Sequence, residues 1–296
     1  MESLFDIKYV FEIDKIFWSI IVPVISSVTS IFIFERFKVI DKLQAEYEYE
    51  QKKKLKETIG RYHGRMELAA RLLSNRMWNL YENKDYGWLS MNSNYDGTPY
   101  YFNSTVYRFL NVMSLVRKFE FEALYIDKRY AQRVDFCFNN YLLAFHWALT
   151  DTLLLKGIEC DMGRQQNHFF ADNLRRYSEI FWKEDEFVSY DVFNRELQCY
   201  MTDVAPVLNF FDAITEENNK LRWDRMVIFH VLLACFVNTF GYRKHYADKN
   251  KILFILSMLK NKGLLSNFIE SLPGLGLDND SELKKVRNLF KLMQNP

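Results

Sequence analysis

Nineteen consecutive residues, Ile16 to Phe34 (IFWSIIVPVISSVTSIFIF), carry no charge. This run constrains the chain more than any other feature, because about 20 apolar residues in helical form match the thickness of a bilayer core. Six Ile, three Phe and three Val contribute roughly −5 kcal/mol on an insertion scale. Ser19, Pro23, Ser26, Ser27, Thr29 and Ser30 offset part of that. The other structure open to such a run is a buried core helix, but charge flanks both ends and the run is close to the N-terminus. A cleavable leader is disfavoured. Glu2, Asp6, Glu12 and Asp14 precede the run beside Lys8 and Lys15, and no small-residue cleavage site follows. The expectation is a transmembrane helix over 16–34, behind a tail of residues 1–15.

At 100° per residue, Ser19, Pro23, Ser26 and Ser30 share one narrow face of that helix, and Ile, Val and Phe cover the rest. In lipid such a face calls for a partner helix or water, so these four residues are candidates for a pore lining or a helix–helix interface. Back-bonding of the hydroxyls to their own helix is the alternative. The tail carries two lysines, whereas Arg36, Lys38, Lys42, Lys52, Lys53, Lys54 and Lys56 follow the span. The positive-inside rule then places the N-terminus outside and the bulk of the chain in the cytoplasm. The four cysteines agree. They are scattered, mostly apolar-flanked, form no CxxC, and read as reduced core residues with neither a disulfide framework nor a zinc site.

Residues 35–83 read as a helical stalk. They contain no Pro, and apolar positions recur in steps of three and four from Ile40 and Leu43 through Leu55, Ile59, Tyr62, Met66, Leu73 and Met77. Gly60 and Gly64 are candidate bend points. From Lys52 to Arg76 eight basic residues face two acidic ones, although the whole chain balances 39 basic against 38 acidic. Any attraction to a polyanion is therefore local. Lys52, Lys53, Lys54, Lys56, Arg61 and Arg65, interleaved with Tyr62 and His63, are the candidate residues for a nucleic-acid, nucleotide or anionic-lipid ligand. The alternative is a solvated face paired with acids elsewhere in the fold.

The remainder, 84–296, reads as a cytoplasmic helical domain, so the fold class is all-α. Only ten Gly and five Pro are present, which disfavours a turn-rich β protein. Lys84 to Pro99 is the boundary loop, dense in Asn, Asp and Gly. Helices are expected over 104–125 with Ser104 as cap, 133–155, 168–182, 189–217 with a kink at Pro206, 222–246, 251–271 and 281–293. Met226 to Phe240 is apolar but short, and is read as a core helix. His146, inside an apolar run, is read as a satisfied core residue, and the charged residues between Glu179 and Glu186 as a solvated helix end.

Few patterns carry chemistry. There is no Walker loop, GxGxxG, HExxH or GxSxG, and no histidine has metal-like spacing to another ligand. No cofactor, metal or catalytic residue is expected, and the chain is not expected to be an enzyme. One exception is held open. Arg225 and His230 stand in the RxxxxH spacing and resemble the phosphate-holding Arg and acid–base His of HEPN-type ribonucleases, although the residue after the Arg is Met226 rather than polar. A membrane-tethered ribonuclease is thus one alternative function, and a non-catalytic membrane scaffold another.

The stretches YEYEQKKKLKETIGRYHGRMELAARLLSNRMWNLYENKDYGWL (47–89), YYFNSTVYRFLNVMSLVRKFEFEALYIDKR (100–129) and HFFADNLRR from His168 resemble a family of bacterial proteins with one N-terminal span. The layout is similar to single-span membrane effectors of anti-phage defence systems of the Hailong and CBASS types. The resemblance covers about residues 16–180 and touches no catalytic motif. It implies a homo-oligomer, taken here as a ring of four, that forms an ion-permeable pore or disrupts the bacterial inner membrane during abortive infection. It also implies gating by a regulatory nucleic acid or nucleotide made by a nucleotidyltransferase partner.

Overall fold

The computed structural model describes residues 3–91, 99–124, 126–161, 163, 167–183, 186–215, 217 and 220–294. For 3–16, 128, 182, 183, 186, 198 and 294 the description is of the backbone. Most of the boundary loop expected before Pro99, residues 92–98, lies outside the described residues.

Apart from turns, connecting segments and one small hairpin, the described chain is helical. Helix α1 runs Ser3–Glu82, α2 Tyr100–Ala123, α3 Arg133–Thr150, α4 Ala171–Glu179 and α5 Tyr190–Phe211. Helix α6 runs Lys220–Phe240, α7 Lys249–Ser257, α8 Lys262–Ser271 and α9 Ser281–Gln294. Strands β1 (Trp182–Lys183) and β2 (Glu186–Phe187) pair antiparallel, with Trp182 opposite Phe187 and Lys183 opposite Glu186. The backbone there forms this hairpin instead of the helix end expected from the sequence.

The chain divides into two compact units, Met1–Lys54 and Leu55–Pro296. In the first, α1 is exposed along nearly its whole described length; Ile20, Val28, Ile31 and Phe34 are each more than half exposed. Its most apolar 18-residue window has a mean hydropathy of 2.1, and none of it is buried. The helix is long and apolar enough to cross a membrane, and Pro23 lies inside it without interrupting it.

The second unit begins within the expected stalk, not after it. Leu55, Tyr62, Met66, Ala69, Ala70, Leu73, Met77 and Tyr81 are all buried. Their mostly three- and four-residue spacing gives this part of α1 an apolar stripe that belongs to the body's core. The division therefore falls at Lys54/Leu55, and α1 continues unbroken through Gly60 and Gly64.

Helix α6 is the centre of this core, packed against α3, α7, α8 and α9. It is long and apolar enough to span a membrane, but 89% of its apolar window is buried in the protein, as a core helix requires. Edge-to-face rings join it to α3: Phe145 meets Phe229 at 5.7 Å, and Phe236 at 5.5 Å. Such arrangements suit the ring quadrupole. On the other flank, α2 packs against α3, α4 and α5.

Two expected elements differ for identifiable reasons. Helix α2 starts at Tyr100 behind Pro99, so Ser104 is not its cap; Ser104 is buried and bonds back to the Tyr101 carbonyl at 3.4 Å. The helix expected over 251–271 is two helices. Buried Asp224 on α6 accepts the backbone N–H groups of Lys260 (2.7 Å) and Asn261 (2.8 Å), and Trp223 donates to the Met258 carbonyl at 2.8 Å. These bonds take the connecting backbone out of the helical ladder. Ser189 caps α5, as expected, by accepting from the Val192 N–H; Pro206 lies inside that helix, which ends at Phe211 instead of 217.

Candidate functional site

The hydroxyl face of the first unit lies open. Ser19, Pro23, Ser26 and Ser30 are all exposed on α1. Thr29, off the stripe, spends its hydroxyl on the carbonyls of Ile25 (2.5 Å) and Ser26 (3.1 Å). Ser26 and Ser30 make no comparable side-chain bond among the described residues. Two hydroxyls on this face are therefore left for a group outside the chain, which is not what full back-bonding would give.

The basic residues do not act as one free ridge. In the first unit, Lys52 pairs with Glu48 one turn back, and Lys53 is also engaged. Lys54 is exposed and has no carboxylate partner among the described residues. In the second unit, Lys56 is likewise exposed and unpaired. Arg61 reaches Glu122 at 2.9 Å, and the same carboxylate accepts the Tyr62 hydroxyl at 2.6 Å. The Arg65 guanidinium lies 5.8 Å from the centre of the Phe187 ring. Arg71 pairs with buried Glu67 at 3.2 Å, and His245 Nδ1 lies 3.3 Å from the same oxygen. Internal acids thus neutralise Lys52, Arg61 and Arg71, an outcome that composition alone left open.

Arg225 and His230 lie close on α6, but both are inside the protein, at 0% and 1% exposure. Arg225 donates to the carbonyls of Ala148 (2.7 Å) and Asp151 (3.1 Å), closing the C-terminal end of α3. Burial lowers its guanidinium to about 10, still charged at neutral pH. His230 Nε2 shares a hydrogen bond of 2.9 Å with Ser74 Oγ, and Tyr81 packs on the ring at 5.3 Å. Burial alone pushes this imidazole down to about 3, so it is neutral in the physiological range. A nuclease pair must reach a phosphodiester, and these side chains instead tie α3 and α1 to α6. Buried in this way, the pair lends no support to the ribonuclease alternative.

Most of the other chemistry-bearing residues are partly or fully buried. His146 Nε2 lies 3.2 Å from the Ala171 carbonyl, and burial lowers its basicity. The cysteines are unpaired: Cys235 is buried, Cys137 and Cys160 half-buried, and Cys199 exposed, so not all are core residues. Burial, with Asp280 beside it, pushes the Cys137 thiol up to about 12. Among the described residues, no group of three His, Cys, Asp or Glu is placed to hold a metal ion.

One basic residue departs from the rest of the stretch. Arg76 is only 5% exposed, and its Nη1 has no hydrogen-bond partner. Spacing in the sequence gives no sign of this, because its surroundings come from α2. No family model matches the chain, and neither a curated protein nor a solved structure is significantly similar to it.

Proposed function

We propose that the chain is a membrane-anchored, homo-oligomeric effector that permeabilises the bacterial inner membrane, with its state set by a nucleotide or nucleic-acid ligand. The observation carrying this reading is the exposed Ser19–Pro23–Ser26–Ser30 face, on which Ser26 and Ser30 make no side-chain bond among the described residues, in a strongly apolar segment of α1. In hydrocarbon such a face is satisfied by packing against its own copies or by water. One span per chain cannot enclose a pore alone, so permeation requires several copies, for which a ring of four is the working arrangement. The cationic residues after the span support a cytoplasmic second unit, where a soluble ligand would reach it. The ligand must bind the closed and open states with different affinity to act as a gate. A role in anti-phage defence is the setting that the sequence resemblance implies.

The test is membrane potential, followed by dye fluorescence in cells expressing the chain, beside the variant Ser26→Leu/Ser30→Leu. Depolarisation by the parent and its loss in the variant, with membrane insertion retained, is the expected result. Undiminished depolarisation by the double variant would remove the stripe from the mechanism.

A further inference from the structure

The first turn of α2 gathers groups that the proposed function has not used. Arg76 from α1 lies with its guanidinium 4.8 Å from the Tyr101 ring centre and 5.2 Å from that of Tyr100. Arg108, two turns along α2, donates Nη1 to the Ser104 carbonyl at 3.1 Å. Both guanidiniums lie close enough to the Tyr100 phenol to hold it below its usual pKa, Arg108 contributing first. Neither has a carboxylate partner among the described residues. Arg76 is also lowered, by burial first and then by the nearby charge of Arg108. Two neighbouring cations with no carboxylate partner among the described residues, one of them buried with an unused donor, are costly unless an anion completes them. The helix terminus adds to this, since Pro99 at the N-cap supplies no side-chain acceptor for the first amides.

Flat rings extend from the same place. Tyr101 stacks on Trp88 at 3.8 Å and 10°, and Trp88 on Tyr86 at 5.6 Å and 16°. Tyr86 is 72% exposed, and Tyr100, beside the guanidiniums, 55%. Stacked aromatics with an open outer face next to an arginine pair are the elements that hold a base and its phosphate.

The geometry points to a binding site here for a phosphoryl group carried next to an aromatic base, with Arg76 and Arg108 taking the phosphate and the exposed Tyr100 and Tyr86 rings taking bases. A free nucleotide would use Tyr100, adjacent to the cations. Tyr86, at the far end of the Tyr101–Trp88–Tyr86 stack, is within reach of a strand. The inference deepens the proposed ligand gating and moves its centre from Lys52–Arg65 to the start of α2. It rests on that reading only for the consequence of binding, not for binding itself.

Titration calorimetry on the full chain in detergent tests it without any readout of conduction. The probes are ATP, a single-stranded DNA hexanucleotide and inorganic tripolyphosphate. Binding of ATP or the hexanucleotide is expected, and the tighter of the two identifies the source. Arg108→Gln, at a half-exposed position, should weaken it by at least about tenfold, and Arg108→Lys by less, since charge remains but the fork is lost. Tripolyphosphate binding as tightly as ATP and the hexanucleotide would overturn base recognition. Failure of both nucleotide probes to bind, or unchanged affinity in Arg108→Gln, would overturn the site. Nucleotide binding in a chain that never depolarises cells would uphold this site and reject the permeation reading.

Discussion

Arg225 and His230 show how burial reverses the meaning of a motif. As a catalytic arginine, Arg225 would be replaceable with little loss of stability. As the clamp on the Ala148 and Asp151 carbonyls, its truncation leaves buried acceptors unmet. Arg225→Ala is expected to destabilise the second unit by about 3 kcal/mol or more, seen as a lower unfolding temperature of the full chain. His230 gives a pH dependence of definite sign. Its folded value, about 3, lies below the ordinary histidine value near 6.5. Below that ordinary value the unfolded chain takes up a proton that the folded chain refuses. Stability is therefore fully present above about pH 6.5 and is lost as pH falls toward 3, by about 1.4 kcal/mol per pH unit. Unfolding temperatures between pH 7 and 4 should fall more steeply for the parent than for His230→Leu. Equal slopes would mean that this imidazole is not neutral in the fold. His146 and His168 are lowered by burial too and add to the parent's acid sensitivity.

At the scale of elements, the Met258–Asn261 break is held by one carboxylate. Asp224→Ala should cost about 2–4 kcal/mol, because two backbone N–H groups lose their acceptor. Amide exchange should then rise first at Lys260 and Asn261; unchanged protection there would show that the turn holds itself. This break also marks what the sequence leaves hidden. Helix content was legible, since α5 and α9 follow apolar periodicity, α3 and α6 are long apolar runs, and local caps such as Ser189 mark an end. The split of α7 from α8 was not, because its cause, Asp224, is more than thirty residues away in sequence. The same holds for the stalk. Its periodicity announced a helix, but whether that stripe faces copies or core depends on α2, α3 and α6. Of the candidate residues, the serine stripe was legible because helical geometry alone defines a face. The pairing of Arg61 with Glu122 and the isolation of Arg76 beside Tyr100 were not, since each needs a tertiary neighbour.

For the whole molecule, the first 34 residues should be separable from the body's fold. A chain lacking them should keep the unfolding transition of the parent, since the buried core begins at Leu55, yet leave the membrane fraction and cease to depolarise cells. Depolarisation by that shortened chain would place the permeating element elsewhere. Synthesis poses a further demand, because α6 leaves the ribosome before its core exists. It passes the hydropathy test for a span, in a chain that α1 would already have delivered to the insertion machinery. Asp224 and Arg225, each costing about 2.5–3.5 kcal/mol at the centre of an inserted helix and less toward its end, then weigh against lateral entry into lipid. Replacing both with Leu should divert α6 into the bilayer, detectable as altered protease protection of a C-terminal reporter. The two charges that later lock the finished core would first have kept its central helix out of the wrong solvent.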